Sequence, residues 1–233
     1  MAASSRGDRS ELDGAIAVPF PLRGEWRAPT TPARMIPSHG TDLLAQRYAF
    51  DLLQVDKRES IHPASKLRMY LLGVPTRECY AWGQPVHAVL DGEVVVASDG
   101  APEPGYLHVV RGLAGVLWTA FTFDPAKGFG SVAGNHVIIG HGATYSAYVH
   151  LAPGSVVVRS GQAVRAGDVI GRVGHTGNST SPHLHFQLMD GPDPMTAAGL
   201  PCAFSDVEVK RGGRWVHEAR AIPDRSEPIR SIG

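Results

Sequence analysis

Ser179-Thr180-Ser181-Pro182-His183-Leu184-His185-Phe186-Gln187-Leu188 is the stretch on which the fold turns. As a β-strand it sends His183, His185 and Gln187 to one face and Leu184, Phe186 and Leu188 to the other. One face is then a core and the other a metal site in waiting. The turn chemistry of Gly177-Asn178-Ser179-Thr180 and Ser181-Pro182 starts the strand just ahead of His183. A helix would swing two histidines at this spacing apart, whereas a strand sets them side by side.

Working outward, Asn135-His136-Val137-Ile138-Ile139-Gly140-His141 reads as a strand, turned by Gly142-Ala143-Thr144 and returning as Tyr145-Ser146-Ala147-Tyr148-Val149-His150-Leu151. Strict alternation puts Tyr148 and His150 on one face and Ala147, Val149 and Leu151 on the other, which makes His150 a third imidazole for the site. Upstream, Gln46-Arg47-Tyr48-Ala49-Phe50-Asp51-Leu52-Leu53 as a strand carries Asp51 on a mostly buried face. A buried carboxylate is costly unless paired or bound to a cation, so Asp51, and with it His39, becomes a candidate to join the pair. Trp82 to Ala97 reads as strand, Asp91-Gly92 turn and strand, and the glycine-punctuated run from Gly154 to Gly174 as short strands.

Composition fits a chain of many short strands: 27 glycines and 18 prolines in 233 residues, 43% of them hydrophobic, enough for a core of one domain with decorations. Basic and acidic residues balance at 22 each, which removes the electrostatic argument for a nucleic-acid partner. No stretch reaches transmembrane length, and Met1 to Leu12 has no apolar run to serve a signal peptide, so the default location is cytoplasmic. Cys79 and Cys202 are too few for a disulfide framework and read as thiols. Residues 1–37, rich in proline and without a sustained period, read as an extended leader; 38–195 form the main domain, with 98–133 an insertion over one end of the sheet; 196–233 form an extension with a hairpin around Gly212-Gly213.

Taken together these residues resemble the lysostaphin-type, or LytM-type, zinc endopeptidases that cleave peptide cross-links in peptidoglycan. Gly177 to Phe186 carries the resemblance with Tyr148-Val149-His150-Leu151, Gly161, Gly167-Asp168-Val169-Ile170-Gly171, Pro85-Val86, Asp91-Gly92-Glu93-Val94 and an upstream His and Asp, over roughly residues 39–190. It implies a mainly β, antiparallel, barrel-like fold related to the biotinyl/lipoyl hybrid motif, with long loops forming a groove. It also implies Zn2+ held by His39, Asp51 and His185, with His150 and His183 as catalytic residues beside the open metal position, and a peptide or peptidoglycan substrate in the cell envelope. One feature departs from the pattern: the family's first His stands four residues before its Asp, and position 47 is Arg. His39 lies further upstream, so its loop has to bulge back. A subset of relatives with Gln-x-Tyr-Ala-x-Asp matches Gln46 to Asp51 and favours Asp51 over Asp42.

Two imidazoles and a carboxylate leave a fourth tetrahedral position for water, the pattern of a catalytic zinc, which lowers that water's pKa to about 7. Imidazoles near neutral pKa can orient the water, stabilise an oxyanion and protonate a leaving amine. Two readings from other classes stand beside this one. A biotinyl or lipoyl carrier fits the turn-strand pattern, but the turn Gly174-His175-Thr176-Gly177 lacks the attachment lysine. A catalytically silent relative binding a cell-wall peptide or protein would typically have lost ligands that this chain keeps. Oligomeric state is not legible.

Overall fold

The computed structural model describes residues 9–65, 67–68, 72–108, 126 and 128–232. The apolar part expected from Leu113 to Phe123 lies outside the described residues. In chain order, β1 (Ile16–Pro19) and β2 (Glu25–Thr30) precede β3 (Phe50–Leu53). Short β4 (Val74–Pro75) and β5 (Pro85–His87) lead to β6 (Gly92–Ser98) and β7 (Tyr106–Leu107). A helical turn, α1 (Gly130–Ala133), is followed by β8 (Asn135–Gly140), β9 (Tyr145–Leu151), β10 (Ala163–Val164), β11 (Val169–Arg172) and β12 (Leu184–Met189). The tail adds β13 (Gly199–Leu200), β14 (Cys202–Arg211), β15 (Arg214–Ala221) and β16 (Ile229–Ser231).

The molecule is mainly β and largely antiparallel, organised on one large open sheet in the order β1-β14-β16-β2-β3-β12-β9-β8-β6-β10. Among the described residues the sheet is mixed through one parallel pair, β1 with β14. β12 sits in its middle, flanked by β3 (His185 opposite Asp51) and by β9 (His185 opposite Val149). Central placement satisfies the β12 backbone on both sides, so the histidine-bearing strand is held rigidly.

Alternation along β12 sorts its side chains as the sequence predicts: Leu184, Phe186 and Leu188 are fully buried in the main core with Phe50, Leu52 and Tyr148. A smaller apolar cluster of Ala45, Ala133, Ile138, Ala147, Val149 and Met189 lies on the opposite face. On the core side Phe204 of β14 packs tilted against Phe50 at 4.8 Å between ring centroids and against Phe186 at 6.0 Å. Those phenylalanines are the neighbours of Asp51 and His185, so the tail braces the back of the site, each buried ring contributing about 1.5–3 kcal/mol.

Three expectations are corrected. The proline-rich leader contributes β1 and β2 to the sheet, and β2 pairs with β3 through Arg27–Leu53 and Thr30–Asp51. Its buried Trp26 and Ala28 alternate as a strand requires, but Pro29 and the short run hide the period. Asp91-Gly92 does not close a hairpin: β5 pairs with β11, while β6 pairs with β8 and β10. Gly154–Val158 is not a strand, although Val157 still bonds to Ile170. The Gly212-Gly213 hairpin forms and is longer than expected, Cys202–Arg211 against Arg214–Ala221. Cys79 and Cys202 are buried thiols without a bridge, both pushed up to about 12 by burial.

Candidate metal centre

Asp51, on β3, points away from the Phe50 and Leu52 core and into a groove of about 470 Å³ that His39, His150, His183, His185 and Gln187 also line. His39 Nε2 lies 3.2 Å from each carboxylate oxygen, and His185 Nδ1 lies 3.0 Å from Oδ1. His183 Nε2 is 3.4 Å from the same oxygen. The ring centroids of His39 and His185 are 4.8 Å apart, as are those of His150 and His183. His39, Asp51 and His185 each offer one ligand atom within 4.8 Å of the others, a set that can hold a metal ion.

The outer hydrogen bonds decide which ring nitrogens carry protons. His185 Nε2 faces Gln187 Oε1 at 2.8 Å, and the Gln187 amide is oriented by donating its Nε2 to the Leu44 carbonyl at 2.9 Å. His185 therefore donates through Nε2–H, and the nitrogen facing Asp51 bears a lone pair. Ser38 Oγ donates to the Gln46 carbonyl at 3.1 Å, so it accepts from His39 Nδ1 at 3.1 Å and leaves Nε2 as the lone pair toward Asp51. Two lone pairs and a carboxylate converge on one point. That is repulsive unless a cation lies among them, and it is the arrangement in which imidazoles ligate metals, each with its other nitrogen tied to an outer acceptor. The residues present thus fit a zinc-sized N/O site.

His39 reaches this position through a closed loop. Ser38 N–H donates to the Arg47 carbonyl at 2.8 Å, pinching the loop at its neck, and a 3-10 turn over Leu43–Ala45 carries its tip. Leu44 and Ala45 both take positive φ, 60° and 57°. Arg47, four residues before Asp51, instead pairs with Glu11 at 3.0 Å and Asp42 at 2.6 Å on the outside.

His150 reaches the groove by a different route from the one its alternation implies. Tyr148 turns into the main core and Val149 into the groove cluster, so simple alternation would bury His150 with Tyr148. The β8–β9 register shifts, with Asn135 opposite Leu151 and His136 opposite Val149, so His150 is the extra residue of a β-bulge with φ of 66°. The bulge re-aims the imidazole. Its Nδ1–H donates to the Thr176 carbonyl at 2.8 Å, leaving Nε2 for a bound substrate. His183 is held likewise, Nδ1–H on the Ser181 carbonyl at 2.7 Å.

Electrostatics separates the roles. Burial opposes ionisation of Asp51, but the surrounding imidazoles, His39 first and then His183, outweigh it and hold the carboxyl well below its ordinary range. Burial, then the neighbouring rings of His183 and His185, holds His150 well below its usual pKa. Burial pulls His183 down too, but Asp51 more than offsets it and the pKa ends raised; at His185 burial prevails and the pKa is lowered. A neutral imidazole beside one with a raised pKa is a base next to an acid. Outside this cluster His175 is buried, with Nδ1 2.9 Å from Ser179 Oγ, while His141 contacts Ser146 and the Asp91 carbonyl.

The sequence did not single out the groove walls. Leu43 and Leu44 line one side; Phe129, Val132 and Ala133, with Asn178 and Thr180, line the other. Ser38, Thr176 and Ser181, which fix the imidazoles, were also not legible, since hydroxyls and backbone carbonyls carry no spacing signature.

A groove on a β-sheet with a His-Asp-His cluster and two further imidazoles defines the class of a candidate metallohydrolase. Residues 122–197 match the family model described as Peptidase family M23. The chain is 45% identical over 93 residues, 39% of its length, to the peptidoglycan DD-endopeptidase ShyA of Vibrio cholerae, of which it covers 21%. It is 33% identical over 122 residues, 52% of its length, to the glycyl-glycine endopeptidase ALE-1 of Staphylococcus capitis, covering 26% of that protein. The chain thus spans about a fifth to a quarter of the length of these relatives. The catalytic domain of lysostaphin from Staphylococcus simulans superimposes with a TM-score of 0.36 at 19% identity, over 82% of this chain and 93% of that one.

Proposed function

We propose that the protein is a zinc-dependent endopeptidase that hydrolyses peptide bonds in peptidoglycan cross-links or closely related peptides. The observation that carries this reading is the convergence of the His39 and His185 lone pairs with the Asp51 carboxylate in an open groove, next to His150 and His183. His39, Asp51 and His185 would hold the metal. When bound, zinc supplies Lewis-acid polarisation of the scissile carbonyl and an acidified water. His150, neutral and anchored on Thr176, accepts a proton from the attacking water; His183, anchored on Ser181, donates to the developing oxyanion or the leaving amine.

Apart from Asp51 and the histidines, no ionisable side chain lines the groove among the described residues. Such a lining suits an uncharged run of backbone with small side chains. The names of the relatives, a DD-endopeptidase and a glycyl-glycine endopeptidase, agree with that chemistry. This substrate would put the site of action in the cell envelope. On this reading residues 38–195 are the catalytic unit, backed by strands from 1–37 and 196–233. No helix among the described residues is long and apolar enough to cross a membrane.

The test is mass analysis of fragments released from purified cross-linked peptidoglycan by the zinc-loaded protein, with His150→Ala as the control. New peptide termini produced only by the unmutated chain are expected. Intact cross-links after prolonged incubation with a fully zinc-loaded chain would overturn this substrate assignment.

A further inference from the structure

The site described above rests on two arms that are far apart in sequence: β12, which carries His185, and the loop after Ser38, which carries His39. Gln187 is the side chain that touches both. It is 1% exposed, lies on the same face of β12 as His185, and its two amide ends are each used once. Oε1 accepts from His185 Nε2 at 2.8 Å, and Nε2 donates to the Leu44 carbonyl at 2.9 Å. Leu44 is the tip of the loop and takes a positive φ of 60°, a left-handed conformation that is strained in a residue with a side chain. A strained tip needs a partner to hold it, and the Gln187 amide is that partner.

We propose that Gln187 is the positioning residue of the metal centre, setting the His185 tautomer through its carbonyl and docking the His39 loop through its amide nitrogen. A carboxylate at this position can do the first task and not the second; an aliphatic side chain can do neither. The geometry therefore assigns a distinct outcome to each replacement. This inference rests on the reading of His39, Asp51 and His185 as metal ligands, and its test separates the two.

Zinc affinity is measured by competition with a chromophoric chelator, and the His185 ring nitrogens are observed by 15N NMR in zinc-free protein. For the unmutated chain one zinc and a His185 protonated at Nε2 are expected. Gln187→Leu preserves volume; it should lower zinc affinity about 10–100-fold, the range for outer partners of metal ligands, and release His185 into a mixture of tautomers. Gln187→Glu should keep the Nε2–H tautomer yet still lose zinc affinity, because nothing then donates to the Leu44 carbonyl. If Gln187→Leu fails to fold, the Glu variant alone decides: unchanged affinity or a lost tautomer overturns the inference. A folded Leu variant with unmutated affinity and tautomer also overturns it, while leaving the ligand assignment standing. An unmutated chain that takes up no zinc overturns the ligand reading and this inference with it.

Discussion

The imidazoles of His150, on β9, and His183, just before β12, meet at 4.8 Å only because His150 occupies a β-bulge at φ 66°. The geometry makes two expectations for this position. His150→Ala removes the proposed base but no ligand, so it should retain zinc and lose about 10²–10⁴-fold in turnover. His150→Gly should lose turnover equally but be more stable than the Ala variant by about 1 kcal/mol, since glycine adopts positive φ without penalty. Zinc content, peptide release and denaturant unfolding of the two variants check this. An Ala variant as stable as the Gly variant would contradict the bulge.

His39 stands twelve positions before Asp51, and the closed loop makes that separation workable. His39→Ala should weaken zinc binding by more than about 100-fold, beyond the loss expected from an outer partner. Stability measured in chelator should move by only about 0.5 kcal/mol, because the loop side chain is partly exposed. Arg47→Ala, at the position where ligand spacing would otherwise point, should leave zinc affinity unchanged. The opposite pattern would assign the ligand to the wrong arm.

The sequence made the β12 half of this site legible and left the other half to tertiary structure. Leu184, Phe186 and Leu188 against His183, His185 and Gln187 is a period-two pattern that only a strand explains, and the strand formed. Asp51 was legible because Phe50 and Leu52 flank it, leaving a carboxylate that needs a partner. The bulge at His150 was not legible: its cause is the register between β8 and β9, and nothing in Tyr145 to Leu151 announces an extra residue. The His39 loop is closed by a backbone bond between Ser38 and Arg47, which leaves no mark on residue type. The leader strands escaped notice because they are short and proline-rich, and are held by pairing with β14, β16 and β3 across the length of the chain.

Protonation should destabilise the metal-free fold in a definite window. His175 is buried, and burial followed by the charge of His183 lowers its pKa from 6.5 to about 4. A base whose folded pKa is depressed binds fewer protons folded than unfolded between those values. Stability is therefore complete above about pH 6.5 and falls as pH drops toward 4, by about 3 kcal/mol for this group. His136 and His141, also lowered by burial, act in the same sense. His183, whose pKa is raised, acts oppositely, its contribution being lost as pH rises through the folded value. Urea titrations in chelator across this range should show the net fall, and His175→Gln should reduce it. An unchanged slope in the variant would count against a neutral buried His175.

Gly134 and Gly177 pack back to back beside the groove. Both take positive φ, 63° and 69°. A Cβ on Gly177 would clash with the Val132 carbonyl oxygen and come within 2.5 Å of Gly134 N. Asn178 N–H also donates to that Val132 carbonyl at 2.8 Å, so the wall formed by Phe129, Val132 and Ala133 is tied directly to the loop bearing Asn178 and Thr180. Gly177→Ala adds a left-handed backbone penalty to an overpacked contact, together about 3 kcal/mol. For a chain of this size that corresponds to a fall in Tm of roughly 6–12 °C by calorimetry. The displacement should also reach His150, whose Nδ1 is anchored on the carbonyl of the adjacent Thr176. Turnover should therefore fall while zinc at the proposed ligands His39, Asp51 and His185 stays bound. A variant with unchanged Tm would show that the two glycines do not make this contact.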